Sequence, residues 1–200
     1  MSVKRVAIIC GGRSSEHPIS CISARGVLGA IDRNAYETVL IGITEEGQWV
    51  QLESADDFVT GTDGLPYVPK STQVLNIDVH GIKNAQGNNL KIDLAFPLLH
   101  GAYGEDGTIQ GLFEMADIAY VGSGVLASAV AMDKTFAKPI YADFGLNVAD
   151  GITIHEREWK KNKALERAKI SALGFPVFVK PARSGSSRGT SKVKSESEID

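Results

Sequence analysis

The chain has 200 residues, of which 43% are hydrophobic and 22% charged, enough apolar material to build a sizeable core. A formal net charge of −3 argues against nucleic-acid binding, because holding a phosphate backbone needs a basic surface. No apolar run reaches the roughly eighteen residues of a membrane-spanning helix, and Cys10 and Cys21 suit neither a disulfide framework nor a zinc motif.

Val3 to Cys10, apolar without a break from Val6, reads as a strand of the kind buried in a parallel sheet. Gly11-Gly12-Arg13 ends it too soon for a signal peptide, so we expect a cytoplasmic protein with both cysteines reduced. A polar loop from Gly11 to Ser20 leads into a helix predicted to end near Ala30. Tyr36 to Thr44 is the next strand, and Glu45-Glu46-Gly47 reads as a hairpin turn toward Gln48 to Leu52. Residues 54–90 carry scattered Gly, Pro, Asn and Asp with brief β-like pieces, and read as an elaborated connection. Ile92 to Leu99 is a buried strand, and the loop from His100 to Gly107 opens a helix over Thr108 to Met115. Ile118 to Val121 follows as a short strand and Ser123 to Met132 as a helix of small residues.

This alternation predicts an α/β fold with an open parallel sheet and function at the strands' C-terminal ends. A second unit is expected after Gly122, dividing the chain into 1–122 and 123–200. It holds a helix from Asp133, a strand near Ile152 to Ile154, a helix from Trp159 to Leu173 and a strand over 176–180. Ser195-Glu196-Ser197-Glu198 matches a capping box with no helix after it, so we expect the chain to be cut inside a domain.

Four segments carry candidate chemistry. The 176–180 strand delivers Lys180 to the loop Pro181-Ala182-Arg183-Ser184-Gly185-Ser186-Ser187-Arg188-Gly189, rich in glycine and serine. Such a loop turns backbone N–H groups and hydroxyls toward one anion, and the lysine adds a point charge, which together suit a phosphate chain. In Gly11-Gly12-Arg13-Ser14-Ser15-Glu16-His17 the acidic Glu16 suits the ammonium of a small substrate. The alternative is a serine cap with Glu16 favouring the helix's first turn. His100 emerges from a buried strand into a loop with three glycines in eight residues. It is either a ligand contact or a satisfied structural histidine. Lys134, followed by Lys138 on the same helix face, is either a phosphate ligand or a solvated side chain.

In this order and spacing the four segments resemble D-alanine–D-alanine ligases. The most specific stretch is His100 to Lys134, HGAYGEDGTIQGLFEMADIAYVGSGVLASAVAMDK. The resemblance implies an N-terminal α/β domain preceding an ATP-grasp module, here only its first, incomplete part. It implies ATP-dependent joining of two D-alanines through a D-alanyl phosphate, for peptidoglycan precursor synthesis. Glu16 would orient the first D-alanine through its ammonium, with His100 beside it. Lys134, Lys180 and Ser187 would contact ATP, and Ser186 would link to the glutamate and help position substrate and lid. ATP and Mg2+ are the implied cofactors, with the metal ligands expected beyond residue 200, and a homodimer through the N-terminal domain is the implied assembly. Resistance-type ligases that make D-alanine–D-lactate or D-alanine–D-serine share the PARSGSS string and are the alternative. A third possibility is a non-catalytic remnant that binds a partner.

The chain departs from the family pattern at Pro18, where an acidic residue is usual, and the proline is expected to alter the exit of the Glu16 loop. Pro139 falls where a helix normally continues, and Arg188 replaces a small or apolar residue.

Overall fold

The computed structural model describes residues 3–199, which form two compact units, Met1–Ala129 and Val130–Asp200. The first is built on β1 (Lys4–Gly11), α1 (His17–Ala30), β2 (Tyr36–Ile43) and β3 (Trp49–Leu52). Next come β4 (Val59–Thr60), β5 (Pro66–Tyr67), β6 (Val74–Asp78), β7 (Gly81–Asn84), β8 (Leu94–Pro97) and α2 (Thr108–Met115). Six strands form one sheet in the order β7-β6-β3-β2-β1-β8.

The continuous apolar run has a direct explanation. β1 lies between β2 and β8, parallel to both, and its side chains alternate between two cores. Ala7 and Ile9 join Val39, Ile41, Ile109 and Phe113 on one face. Val6, Ile8 and Cys10 join Leu40, Cys21 and Ala24 on the other. Neither face meets water from Val6 onward, so no polar residue interrupts that stretch, whereas Lys4 and Arg5 stand where the strand is still accessible. Ile8, Ile9 and Ile41 are fully buried, each worth roughly 1.5–3 kcal/mol relative to exposure. Cys10 and Cys21 are free thiols within the α1 core.

The parallel part of the sheet is β2-β1-β8. After β2 the chain turns at Gly47, whose N–H bonds the Thr44 carbonyl at 2.9 Å, and β3 returns antiparallel. The 54–90 connection is more regular than its composition suggests. Ser54 caps a 3-10 turn over Ala55–Asp57 with both arms of a capping box, β4 and β5 form a separate hairpin, and β6 and β7 extend the sheet antiparallel. The predicted strand over Ile118 to Val121 reduces to a single parallel bridge between Tyr120 and Ala95.

Pro18 occupies the first turn of α1, after the N-cap Glu16. Its missing N–H would have had no helical partner there, so it favours the helix start and does not distort it.

α3 (Val125–Met132) leads to α4 (Lys134–Asp143), α5 (Glu156–Lys161), α6 (Lys163–Ser171), β9 (Val177–Val179) and β10 (Ser191–Val193). The predicted helix over Trp159 to Leu173 is two helices. Asn162 leaves helical geometry and its side chain accepts the Leu165 N–H at 3.1 Å, capping α6 directly after α5 ends. Ile152 to Ile154 is not a strand. The sheet of this unit is only the antiparallel pair β9–β10, which leaves that apolar triplet without a ladder partner. Pro139 lies inside α4, at an exposed position. Such a proline removes the bond to the Thr135 carbonyl, a defect of about 3 kcal/mol in a helix interior. The strong Asp133 cap described below works against it. At Ser195 to Glu198 a single 3-10 turn forms over Glu196–Glu198, and the Glu198 carboxylate reaches back to the Lys194 N–H at 2.8 Å.

Candidate active site

Two serines lace the loop after β1 to the end of β8. Ser20 Oγ accepts the Gly11 N–H at 2.8 Å and donates to the Leu98 carbonyl at 2.6 Å. Ser14 Oγ accepts the Glu16 N–H at 3.1 Å and donates to the His100 carbonyl at 2.6 Å. These bonds bring Glu16 and the His100 loop together at the C-terminal edge of the parallel strands. Glu16 Oε2 lies 2.7 Å from the point where a Cβ on Gly101 would sit. The carboxylate therefore rests against a bare Cα, half-buried, in a place only glycine leaves open.

His100 is held on α1. Ser23 Oγ gives its one proton to the Ile19 carbonyl at 3.0 Å, so in the 3.0 Å contact with His100 the ring Nε2–H is the donor. The loop beyond is fixed by its own acids. Glu105 Oε2 accepts the Gly101 N–H at 2.7 Å, and Asp106 accepts those of Tyr103 and Thr108 at 2.9 and 3.1 Å. Burial works to raise the Asp106 carboxyl, but the Tyr103 and Thr108 hydrogen bonds outweigh it and hold the group below the ordinary aspartate range. Buried Gln110 donates to the Gly104 carbonyl at 2.9 Å, and the Arg13 guanidinium lies 5.2 Å over the Tyr103 ring. None of Ser14, Ser20, Asp106 or Gln110 stood out as a site residue in the sequence. For Ser14 and Asp106 the available signal was a hydroxyl and a carboxylate within two residues of a glycine; Ser20 and Gln110 carried none of that kind.

In the second unit the N-terminus of α4 grips the lysine loop. Lys134 Nζ donates to the carbonyls of Ser184, Pro181 and Ala182 at 2.7, 3.3 and 3.4 Å, and its N–H bonds the Ala182 carbonyl at 3.0 Å. Buried Asp133 accepts from Thr135 N–H and Oγ1–H at 2.9 and 2.6 Å, and from Arg183 Nε at 2.7 Å. Thr135 and Arg183 together hold the Asp133 carboxyl down to about 2. Lys180 lies beside Phe178, with Nζ 6.0 Å from the ring centroid. Ser186 and Ser187 both take left-handed backbone, with φ 49° and 56°. Two such non-glycine residues in succession store strain of the kind found in ligand-clamping loops. Lys138 is not part of this set; its Nζ faces Gly151.

The Asp133 carboxyl titrates lower in the folded protein than the ordinary value of about 3.9, so its contribution to stability is complete above pH 4. It is lost as pH falls toward 2. Asp133→Asn is expected to flatten the dependence of the urea midpoint on pH between those values and to lower the midpoint at pH 6. An Asp133→Asn profile parallel to the parent's would show that the ion pair does not form in solution.

Residues 5–123 match the family model described as the D-ala D-ala ligase N-terminus, and residues 140–200 match that of the D-ala D-ala ligase C-terminus. The chain belongs to the D-alanine–D-alanine ligase family. A D-alanine–D-alanine ligase of Paenarthrobacter aurescens is 49% identical over 98% of this chain and 54% of its own length. The solved D-alanine–D-alanine ligase of Coxiella burnetii has a TM-score of 0.83 at 30% identity, covering 98% of this chain and 58% of that one. The VanG D-Ala:D-Ser ligase of Enterococcus faecalis has a TM-score of 0.82 at 32% identity, covering 99% and 57%. The chain thus spans about half the length of the curated relatives it matches. Its fold is that of the ligase N-terminal α/β domain followed by part of the ATP-grasp module. Among the described residues of this family member, no helix is long and apolar enough to cross a membrane. Nor does any cluster of three or more His, Cys, Asp or Glu among them suit a metal ion.

Proposed function

We propose that this chain supplies the first-substrate site and the opening part of the ATP clamp of an ADP-forming D-alanine–D-alanine ligase. One observation carries the reading: the Glu16 carboxylate rests against the bare Cα of Gly101 at the strands' C-terminal edge. A carboxylate in that position recognises an ammonium, which an amino acid supplies. We assign His100 to the same pocket. Lys134, Lys180 and Ser187 are the proposed contacts to ATP phosphates, and Ser186 the loop hydroxyl that positions substrate.

The chemistry asks for these charges. Moving a phosphoryl group onto the D-alanine carboxylate brings several negative charges together, and lysines with aligned N–H groups offset the repulsion. The amine of the second D-alanine then displaces phosphate to give the dipeptide for peptidoglycan. A closed serine loop would keep water from the acyl phosphate meanwhile. ATP fits the lysines and loop of the second unit. Among the described residues no cluster of acidic side chains suits magnesium. We further propose a boundary after Gly122, a homodimer through the first unit and a cytoplasmic setting.

The test is dipeptide formation from D-alanine and ATP, by the chain alone and by the chain extended with the C-terminal part of the Paenarthrobacter aurescens ligase. The extended protein is expected to turn over and the chain alone to be inactive. Glu16→Gln in the extended form should lower kcat/KM by about a hundredfold or more. A folded, ATP-binding extended protein that makes no dipeptide would overturn the reading. The likeness to the D-Ala:D-Ser ligase makes D-serine the competing second substrate for the same assay.

A further inference from the structure

We infer that His17 is the positioning residue for Glu16. One ring nitrogen holds the Gly12 carbonyl in place, and the other ties the 59–70 excursion onto the same loop. The inference rests on the reading of Glu16 as the ammonium ligand.

His17 directly follows Glu16 in the chain and is 1% exposed. Its Nδ1 is 2.7 Å from the Gly12 carbonyl, and its Nε2 is 3.0 Å from the Val68 amide nitrogen. A backbone amide can only donate, so Nε2 accepts and the proton sits on Nδ1, aimed at Gly12. Both ring nitrogens are thus satisfied. Tyr67 stacks on it at 5.4 Å between centroids, with the planes 20° apart.

What the ring holds is glycine backbone. Gly11 and Gly12 both take left-handed backbone, with φ 85° and 95°, and neither has a side chain to fix its peptide planes. Ser20 holds the Gly11 N–H and the Ile43 carbonyl holds the Gly12 N–H at 2.7 Å. His17 holds the Gly12 carbonyl, and the peptide it belongs to starts the path to Glu16. The excursion is seated by the same residue. The Val68 side chain fills the space beside two glycines, 2.7 Å from a Cβ position on Gly11 and 2.5 Å from one on Gly42. An apolar replacement would pack as well but would leave a buried carbonyl and a buried N–H unmatched.

The experiment compares 15N-labelled parent chain with His17→Asn, His17→Gln and His17→Phe, using D-alanine as the probe. Asparagine can keep the bond to Gly12, and glutamine can reach Val68. His17→Phe is expected to shift the Glu16 and Gly101 amide resonances and to speed Val68 amide exchange. It should also weaken D-alanine binding about tenfold, the scale of one lost hydrogen bond. His17→Asn should restore the Glu16 and Gly101 resonances and the affinity without restoring Val68 protection. His17→Gln should do the reverse. Unmoved Glu16 and Gly101 resonances in His17→Phe overturn the inference, as does rescue of D-alanine binding by glutamine and not asparagine. Should His17→Phe fail to fold, the asparagine–glutamine comparison decides alone. A parent chain whose Glu16 and Gly101 signals ignore D-alanine counts against the ammonium site, while the resonance and exchange patterns still judge His17.

Discussion

Replacing Gly101 by alanine is expected to abolish recognition of D-alanine at Glu16 while leaving the protein folded. The added Cβ would sit 2.7 Å from Glu16 Oε2 and 3.5 Å from Ser14 Oγ, so the carboxylate must leave its seat. Gly101 also has a φ of +72°, a conformation that strains alanine by about 1 kcal/mol or more. That strain is local. The Gly101 N–H still reaches Glu105, and the Gly101 carbonyl still receives the Glu105 N–H at 2.9 Å. Shifting a substrate-holding group by about 1 Å costs on the order of a hundredfold in rate or affinity. D-Alanine titration alongside a thermal melt separates the two effects. Full affinity in a folded Gly101→Ala protein would mean that Glu16 is not the ammonium ligand.

The largest loss of stability is expected from Gly11→Ala. Here the obstacle is main chain: a Cβ would lie 2.3 Å from the Ile43 carbonyl oxygen, 2.7 Å from Val68 Cγ2 and 2.9 Å from His17 Cε1. A flexible side-chain tip could swing aside, but the Ile43 carbonyl belongs to β2 and receives the Gly12 N–H. Relief requires the ends of β1 and β2 to part, in the middle of the sheet. With the left-handed φ of 85° added, the expected cost is about 3–5 kcal/mol, at the severe end for a single substitution. Urea denaturation measures it directly. A change below about 1 kcal/mol would show that the loop yields far more easily than its packing implies.

How far the sequence spoke depended on whether a signal was local. β1 and α2 were readable because each writes its environment into its own residues, an unbroken apolar run in one and a helical face with Ile109 and Phe113 in the other. β6 and β7 were not readable as sheet strands. Their apolar residues are few; the edge of β3 recruits β6, through Trp49–Leu75 and Val50–Val74, and β6 in turn pairs with β7. The Ile152 to Ile154 triplet misled for the opposite reason: it has strand-like residues and no partner to pair with. Asn162 was an overlooked cap. In the site, Glu16 and His100 could be singled out as candidates by charge type and glycine neighbours, and Lys134 only through the family resemblance. The role of His17 could not, because its partners lie five residues back at Gly12 and fifty-one residues on at Val68.

The bond from Ser14 to residue 100 ends on a carbonyl oxygen and not on the imidazole. Every amino acid carries that oxygen. That anchor is thus independent of which side chain stands at position 100, and a change there removes the ring's bond to Ser23 without cutting the bond that ties the loop to Ser14. On the proposed role of His100, anchoring of the loop and contact with substrate fall to different atoms of the same residue.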